Sequence, residues 1–388
     1  MGKVSQQWEQ QTNIRADEVC KALVRMPLMT YVQMARLLSI SPQQARNLVT
    51  HTWDRLCEQP YHKAYRSPRF KFGSNRLKAM VKLTDPAMDT WSKQEGVASR
   101  NQVKPKDIDR VLTVTDILVE LRLRGALYDN WDMMLPQTVN EGLHAWLVRK
   151  DGYKMGVYVL PTQYDQMEDA KRTVILRGII RRVTQHIGVT DTLFLVPAQQ
   201  YESILRIMTK LKNDGHSLFL LPLEPLLTEP EWFLNAIADH EKRAMEALWP
   251  LLDVQETLPF TAQYQYAALC KFGPRLCRFI DVYSNGSVDR VRTWLSSRNS
   301  FAYQVPGTGE AAKAWVYAYH PIMTEVLATV LSERETITEV YPWPEAARSV
   351  SSKNAALVSD NREDWSLFDD TWGQMNRTKS HSDELQKV

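Results

Sequence analysis

Three groups of side chains in this chain of 388 residues have the types and spacing to do chemistry. The first is Glu141, Asp151 and Lys154. Two carboxylates and a lysine near one hairpin are the equipment of a metal-dependent phosphodiesterase. The acids hold Mg²⁺, and the metal activates water and stabilises charge at phosphorus. Asp151, however, lies in Lys150-Asp151-Gly152, where Asp is ordinary turn chemistry. The strand that follows, Lys154 to Leu160, carries no acid. The trio therefore stands as an alternative, with Mg²⁺ as cofactor only in that case. Otherwise no catalytic residue, cofactor or resident metal is expected. The second group is Gln43, Gln44, Arg46 and Asn47. Gln and Asn can pair bidentately with adenine, and Arg with guanine. The third is Arg66, Arg69, Lys71 and Arg76, around Gly73-Ser74-Asn75, a set suited to neutralising phosphates.

Other constellations are missing. There is no phosphate-cradling Gly-x4-Gly-Lys-Ser/Thr loop and no His-Glu-x-x-His, and Gly307-Thr-Gly309 lacks the third glycine of a dinucleotide loop. The eight histidines do not cluster, and His144 reads as structural. Nothing marks Tyr201, Tyr264 or Tyr266 as a nucleophile. Trp315 and the other tryptophans read as core. Cys20, Cys57, Cys270 and Cys277 form no Cys-x-x-Cys pair and read as buried thiols of a cytoplasmic protein.

These groups need elements to position them. Val19, Leu23 and Val24 recur at helical spacing over Ala16–Arg25, after a polar stretch, 1–14, that reads as loose. A second helix spans Thr30–Leu38, with Thr30 as its cap. Ser41 then caps a third helix, with Pro42 in its first turn, running to about Leu56. Two short strands follow, near Lys63–Tyr65 and Lys78–Leu83, around the basic tip. Thr84-Asp85-Pro86 opens a short helix. Helix, helix, turn, helix and hairpin is the order of a winged helix-turn-helix, whose recognition helix would present Gln43 to Asn47.

Beyond a polar linker at Glu95–Asp107, a helix spans Ile108–Arg124. A hairpin over 142–160 and a helix over Tyr164–Gly188 come next. Strand, helix and strand follow at 192–196, 200–212 and 217–221, and a helix over Glu229–Leu248 closes a mixed α/β pattern. Further on, the sequence predicts strands at Arg275–Tyr283 and Ala312–Tyr319 and a helix at Val288–Ser297. No internal repeat is evident. The polar tail from Ser349 reads as disordered around Trp365, Phe368 and Trp372.

Composition agrees with a folded chain of two or three domains: 44% hydrophobic and 24% charged residues exclude collagen-like and wholly disordered classes. No apolar run suits a membrane span, and the first residues lack a secretory apolar region. The formal net charge is +3, but eleven basic and four acidic residues give Arg55–Lys104 +7, leaving the rest at −4. A basic stretch on a balanced protein points to a polyanion.

A winged-helix pattern, a helix reading Asp109-Arg-Val-Leu-Thr-Val-Thr-Asp-Ile-Leu-Val-Glu-Leu121, Leu83-Thr-Asp-Pro closing the hairpin, and then a small α/β domain together resemble the replication-relaxation family and MobC-type plasmid mobilisation proteins. The resemblance covers roughly residues 15–225. It implies plasmid DNA recognition and a restriction-endonuclease-like core that nicks DNA in active members. Here the strand that should carry acid-x-lysine is Met155–Leu160, which is apolar apart from Tyr158.

The expectation is thus an α/β (α+β) protein. It has a winged-helix domain at 15–95, an endonuclease-like domain at 108–250, an extension at 251–348 and a tail at 349–388. It would be a cytoplasmic protein of a mobile element, bound to double-stranded DNA and to other mobilisation or replication proteins, and not inserted in a membrane. The alternatives are a metal-dependent nickase and a transcriptional regulator.

Overall fold

In the computed structural model, the described residues are 2–53, 56–58, 80–98, 103, 108–127, 130–136, 142–160, 167–184, 190–211, 215–239, 241–258, 266–274, 276–297, 312–334 and 336–345, without the side chains of 2–11, 58 and 109. The fold is mixed α/β, with twelve α-helices and three sheets among these residues. The chain divides into two compact units: described residues up to Leu123 fall in the first, and the second is Arg124–Lys353. The expected segment 15–95 lies in the first unit. So does the helix at 108–123 with which the next segment opens, while the rest of 108–250 and 251–348 make up the second.

The first unit starts with α1 (Gly2–Arg25). Residues 2–14 are therefore helical, against the expectation of a loose start. No proline interrupts them, and once the buried half around Val19, Leu23 and Val24 is in place, each further residue adds a hydrogen bond at little cost. A two-residue strand β1 (Met29–Thr30) leads into α2 (Tyr31–Leu38). Thr30 and Gln33 close a capping box there, with the Thr30 hydroxyl accepting from the Gln33 N–H at 3.2 Å and the Gln33 side chain accepting from the Thr30 N–H at 2.8 Å. Ser39 turns the chain in the left-handed region, and α3 (Pro42–Asn47) follows.

The third helix does not continue in α-form to Leu56. From Leu48 to Thr52 it widens into a π-turn, closed by the Trp53 N–H donating to the Leu48 carbonyl at 2.7 Å. Ala45, Val49 and Trp53 are all buried and spaced by four. An α-helix would rotate that series off its face, and the wider turn keeps it pointing inward. The β-branched Val49, Thr50 and Thr52 also disfavour the tighter form.

Strands β2 (Cys57–Glu58) and β3 (Met80–Leu83) complete a sheet of order β1-β3-β2, antiparallel throughout, with Met29 opposite Val81 and Cys57 opposite Leu83. The strand expected near Lys78–Leu83 is β3. The one expected at Lys63–Tyr65 lies outside the described residues. Thr84 precedes α4 (Asp85–Glu95), which packs on α1, and Arg25 reaches Glu95 at 3.0 Å. Helix α5 (Ile108–Leu123) joins this unit through Gln33, whose amide donates to the Leu112 carbonyl at 2.8 Å, and through the Thr115 hydroxyl, which donates to Leu28 at 3.0 Å.

The second unit repeats one topology twice. Its first sheet holds β4 (Trp131–Met134), β5 (Ala145–Arg149), β6 (Lys154–Val159), β7 (Asp191–Val196) and β8 (Ser217–Pro222) in chain order, with α6 (Asp169–Thr184) and α7 (Ala198–Met208) as the last two connections. The first three strands are antiparallel and the last two pairings parallel. After α8 (Leu223–Thr228), α9 (Pro230–Ala238) and α10 (Lys242–Leu248), the second sheet runs β9 (Glu256–Leu258), β10 (Ala268–Gly273), β11 (Leu276–Tyr283), β12 (Lys313–Ala318) and β13 (Thr338–Pro342). Helices α11 (Val288–Ser296) and α12 (Pro321–Ser332) make its last two connections, with the same order and the same senses. No repeat is visible in the sequence because strand pairing needs only alternation and turn residues, not identity.

The expected helix over 229–248 starts at Pro230, a favoured first position, but is broken after Ala238, where Glu241 adopts φ +62° before α10 begins. The two sheets meet where Leu220 donates to the Gly286 carbonyl at 2.8 Å and the Tyr201 and Tyr283 hydroxyls bond at 3.0 Å. Among the described residues no helix is long and apolar enough to cross a membrane. The tail from Ser349 lies outside the described residues.

Candidate functional site

On α3, Gln43, Gln44, Arg46 and Asn47 are all exposed, while Ala45 between them is buried. Burying Ala45 sets the helix's rotation and turns its neighbours outward. The four are not equivalent. The Gln44 side chain bends back and accepts from the Ser41 N–H at 2.9 Å, while the Ser41 hydroxyl accepts from the Gln44 N–H at 3.2 Å. This capping box occupies Gln44's carbonyl. Gln43 donates from its amide to the Asn47 side-chain oxygen at 3.0 Å, so the two amides are held as a pair with a donor left on Asn47 and an acceptor on Gln43. Arg46 is exposed and has no ion pair among the described residues. Among the described residues, this face of α3 offers one guanidinium without an ion pair beside one preset pair of amides. Arg66, Arg69, Lys71 and Arg76 lie outside the described residues.

At the β5–β6 hairpin, Asp151 and Lys154 of the nuclease trio can be followed. Glu141 lies outside the described residues. Asp151 is held by the Arg149 guanidinium at 2.7 and 3.0 Å and accepts from the Tyr153 N–H at 3.1 Å. That pairing holds its carboxyl below the usual range. The Lys154 ammonium lies 3.8 Å from the centre of the Trp146 ring. Met155, Val157 and Val159 of β6 are buried in the core.

Two carboxylates from distant segments do converge on this hairpin. Asp239 pairs with Arg149 at 2.6 Å, and Asp191 accepts from the Tyr153 hydroxyl at 2.5 Å. Desolvation, then the bond to Asp191, pushes the Tyr153 phenol far up, so it stays a donor. Each acid is thus satisfied by a cation or a phenol. Among the described residues no three His, Cys, Asp or Glu side chains group to hold a metal. His144 accepts from the Val159 N–H at 3.1 Å and stacks on Tyr158, a structural role.

A third cluster was not read from the sequence. Glu241, turned by its left-handed backbone, accepts from the Ser284 N–H at 2.5 Å and the Asn285 N–H at 3.0 Å and pairs with Arg290. Arg290 also meets Asp281 at 3.2 Å and donates to the Val282 carbonyl at 2.9 Å. Glu241 is 2% and Asp281 0% exposed. One guanidinium thus serves two buried carboxyl groups. Burial pushes the Asp281 carboxyl well above its usual range and the Arg290 guanidinium down to about 10. The cluster borders a cavity of about 490 Å³, walled also by Met245, Trp249 and Val282. Chemically it is a lock joining the turn before α10, the end of β11 and α11. Asp-Val-Tyr-Ser-Asn inside a strand-to-helix turn was the available signal, but its partner stands forty residues away.

All four cysteines are free thiols. Cys20, Cys57 and Cys270 are buried and Cys277 is half-buried, and burial pushes Cys57 up to about 12 and Cys270 up to about 11, out of the reactive range. Comparison with family models, with curated proteins and with solved structures gives no match.

Proposed function

We propose that this is a cytoplasmic protein of a mobile element that binds double-stranded DNA through a winged helix-turn-helix in residues 15–95 and helps assemble a mobilisation or replication complex. The observation that carries the reading is α3. A short helix, doubly capped and following a tight turn after α2, exposes Gln43, Arg46 and Asn47 together, and the stretch after it carries the chain's excess of positive charge. In such motifs the first turns of the second helix enter the major groove. The order helix, strand, helix, helix, strand, strand, with β1-β3-β2 pairing, supports the same reading.

The second unit supports the family resemblance at the level of layout. Its three antiparallel strands, helix and parallel strand follow the strand order expected of a restriction-endonuclease-like core, although the helix before them, α5, falls in the first unit. Its side chains favour a binding role over nicking, because Asp151 and Lys154 are engaged with Arg149 and Trp146.

The test is selection of random-sequence duplexes by the full chain, followed by incubation with supercoiled plasmid and Mg²⁺ or Mn²⁺. Enrichment of a discrete site without nicking supports the reading. Nicking abolished by replacing Glu141, Asp151 and Lys154 with Ala together would establish the nickase instead.

A further inference from the structure

The second sheet has one face in the core and one that is only partly covered. Along β12, Ala314, Val316 and Ala318 are fully buried, while Trp315 and Tyr317 point the other way and are half-buried. Trp315 is therefore not core, as its residue type had suggested. Register sets Trp315 beside Glu339 and Tyr317 beside Tyr341 of β13. The rings form a continuous row: Phe272 lies 5.1 Å from Trp315, Trp315 5.5 Å from Tyr341 and Tyr341 5.7 Å from Tyr317. Glu339 sits inside the row and accepts from the Trp315 indole at 3.2 Å and the Tyr341 hydroxyl at 3.1 Å. Lys313 neutralises it at 2.5 Å. These bonds fix the rings' orientation and cancel the acid's charge.

Arg278, from β11, is different. Its guanidinium carbon lies 5.4 Å from the centre of the Trp315 ring. One nitrogen donates to the Cys277 carbonyl at 2.8 Å. Its Nε is buried without a hydrogen-bond partner, and no carboxylate pairs with the half-buried guanidinium among the described residues. A stacked, half-buried guanidinium that no described carboxylate neutralises, beside a row of oriented rings, calls for a partner that brings anions and flat apolar faces together.

We propose that this face binds single-stranded nucleic acid, with bases stacking on Trp315, Tyr341 and Tyr317 and a backbone phosphate taken by Arg278. Each nucleotide supplies one base and one phosphate, which match the two kinds of group here. A duplex cannot, because its bases are already stacked on each other. An apolar peptide or a second copy would cover the rings but leave Arg278 unpaired in a drier environment, which is costly. The proposal uses no residue of the first unit, so it stands or falls apart from duplex binding by α3.

The experiment is anisotropy of a fluorescein-labelled oligo-dT of about 12 nucleotides with the full chain, at low and moderate salt. Wild type should bind, more weakly as salt rises. Tyr341→Leu and Arg278→Gln should each weaken binding at least about fivefold and leave duplex affinity unchanged, while Arg46→Ala should leave oligo-dT binding unchanged. Should a variant fail to fold, photocrosslinking of wild type to an oligonucleotide carrying 5-iododeoxyuridine gives the same answer, with adducts expected on Trp315, Tyr317 or Tyr341. The proposal is overturned by absence of binding, by binding that survives both substitutions, by adducts confined to other segments, or by self-association that Tyr341→Leu abolishes in a protein with no oligo-dT affinity.

Discussion

Gln44 and Arg46 stand two residues apart on α3 and do different work. Gln44 closes the cap with Ser41, so Gln44→Ala should lower stability, by less than the roughly 0.5–2 kcal/mol lost on removing an N-cap side chain, and leave sequence preference intact. Arg46→Ala and Asn47→Ala should do the reverse, each reducing discrimination between a selected site and random duplex by roughly 1–3 kcal/mol. Urea denaturation and competition binding on the same three variants separate the two effects. Both roles could be read from the sequence, since Ser-x-x-Gln is a capping box and Gln is also a base reader. Only the side chain's direction assigns Gln44 to the first. Asp281 makes a residue-scale prediction in pH. Its folded-state value is raised by burial above an ordinary value near 3.8. Its contribution to stability is therefore fully present below that value and is lost as pH rises toward the folded-state value, by about 1.4 kcal/mol per pH unit. Asp281→Asn removes the titration and leaves Arg290 to Glu241. The difference in urea stability between wild type and variant should grow in the variant's favour from pH 4 to pH 7. Parallel curves would show that Asp281 is ionised in the fold.

Among elements, the long periodic helices and the strands with clear alternation were legible: α2, α5, β6, β7 and β11 fall where the residues place them. Strands β1 and β2 are two residues each and carry no period, so only pairing with β3 defines them. The broken helix over 229–248 failed for a different reason. The helix-compatible residue Glu241 is pulled into a left-handed turn by the bonds it makes to Ser284 and Asn285, and no local signal reports that. The seam between the two sheets makes an element-scale prediction. Gly286 has φ +72°, and a Cβ there would lie 2.2 Å from the Leu220 carbonyl oxygen. Gly286→Ala should therefore cost roughly 2 kcal/mol or more in urea denaturation. Gly152→Ala also has φ +92° but meets nothing within 4 Å, so it should cost less.

For the molecule as a whole, the distribution of charge was legible and the duplication was not. Charge is additive along a chain and can be counted. The repetition of three antiparallel and two parallel strands exists only in long-range pairing. The second copy of that topology carries the partly open aromatic face and the buried Glu241–Arg290–Asp281 lock, neither of which has a counterpart among the residues singled out in the first copy. The central claim is that α3 reads duplex DNA while the basic stretch after it supplies sequence-independent affinity. It is tested most directly by measuring duplex binding of the full chain against salt for wild type, Arg46→Ala and the double variant Arg69→Ala with Lys71→Ala. The account predicts a steep wild-type slope of log affinity against log salt. The double variant should lower that slope by about 0.9 for each phosphate that is no longer neutralised and weaken selected and random sites alike. Arg46→Ala should weaken the selected site alone. Salt-insensitive binding, or a selected-site preference untouched by Arg46→Ala and altered by the double variant, would contradict it.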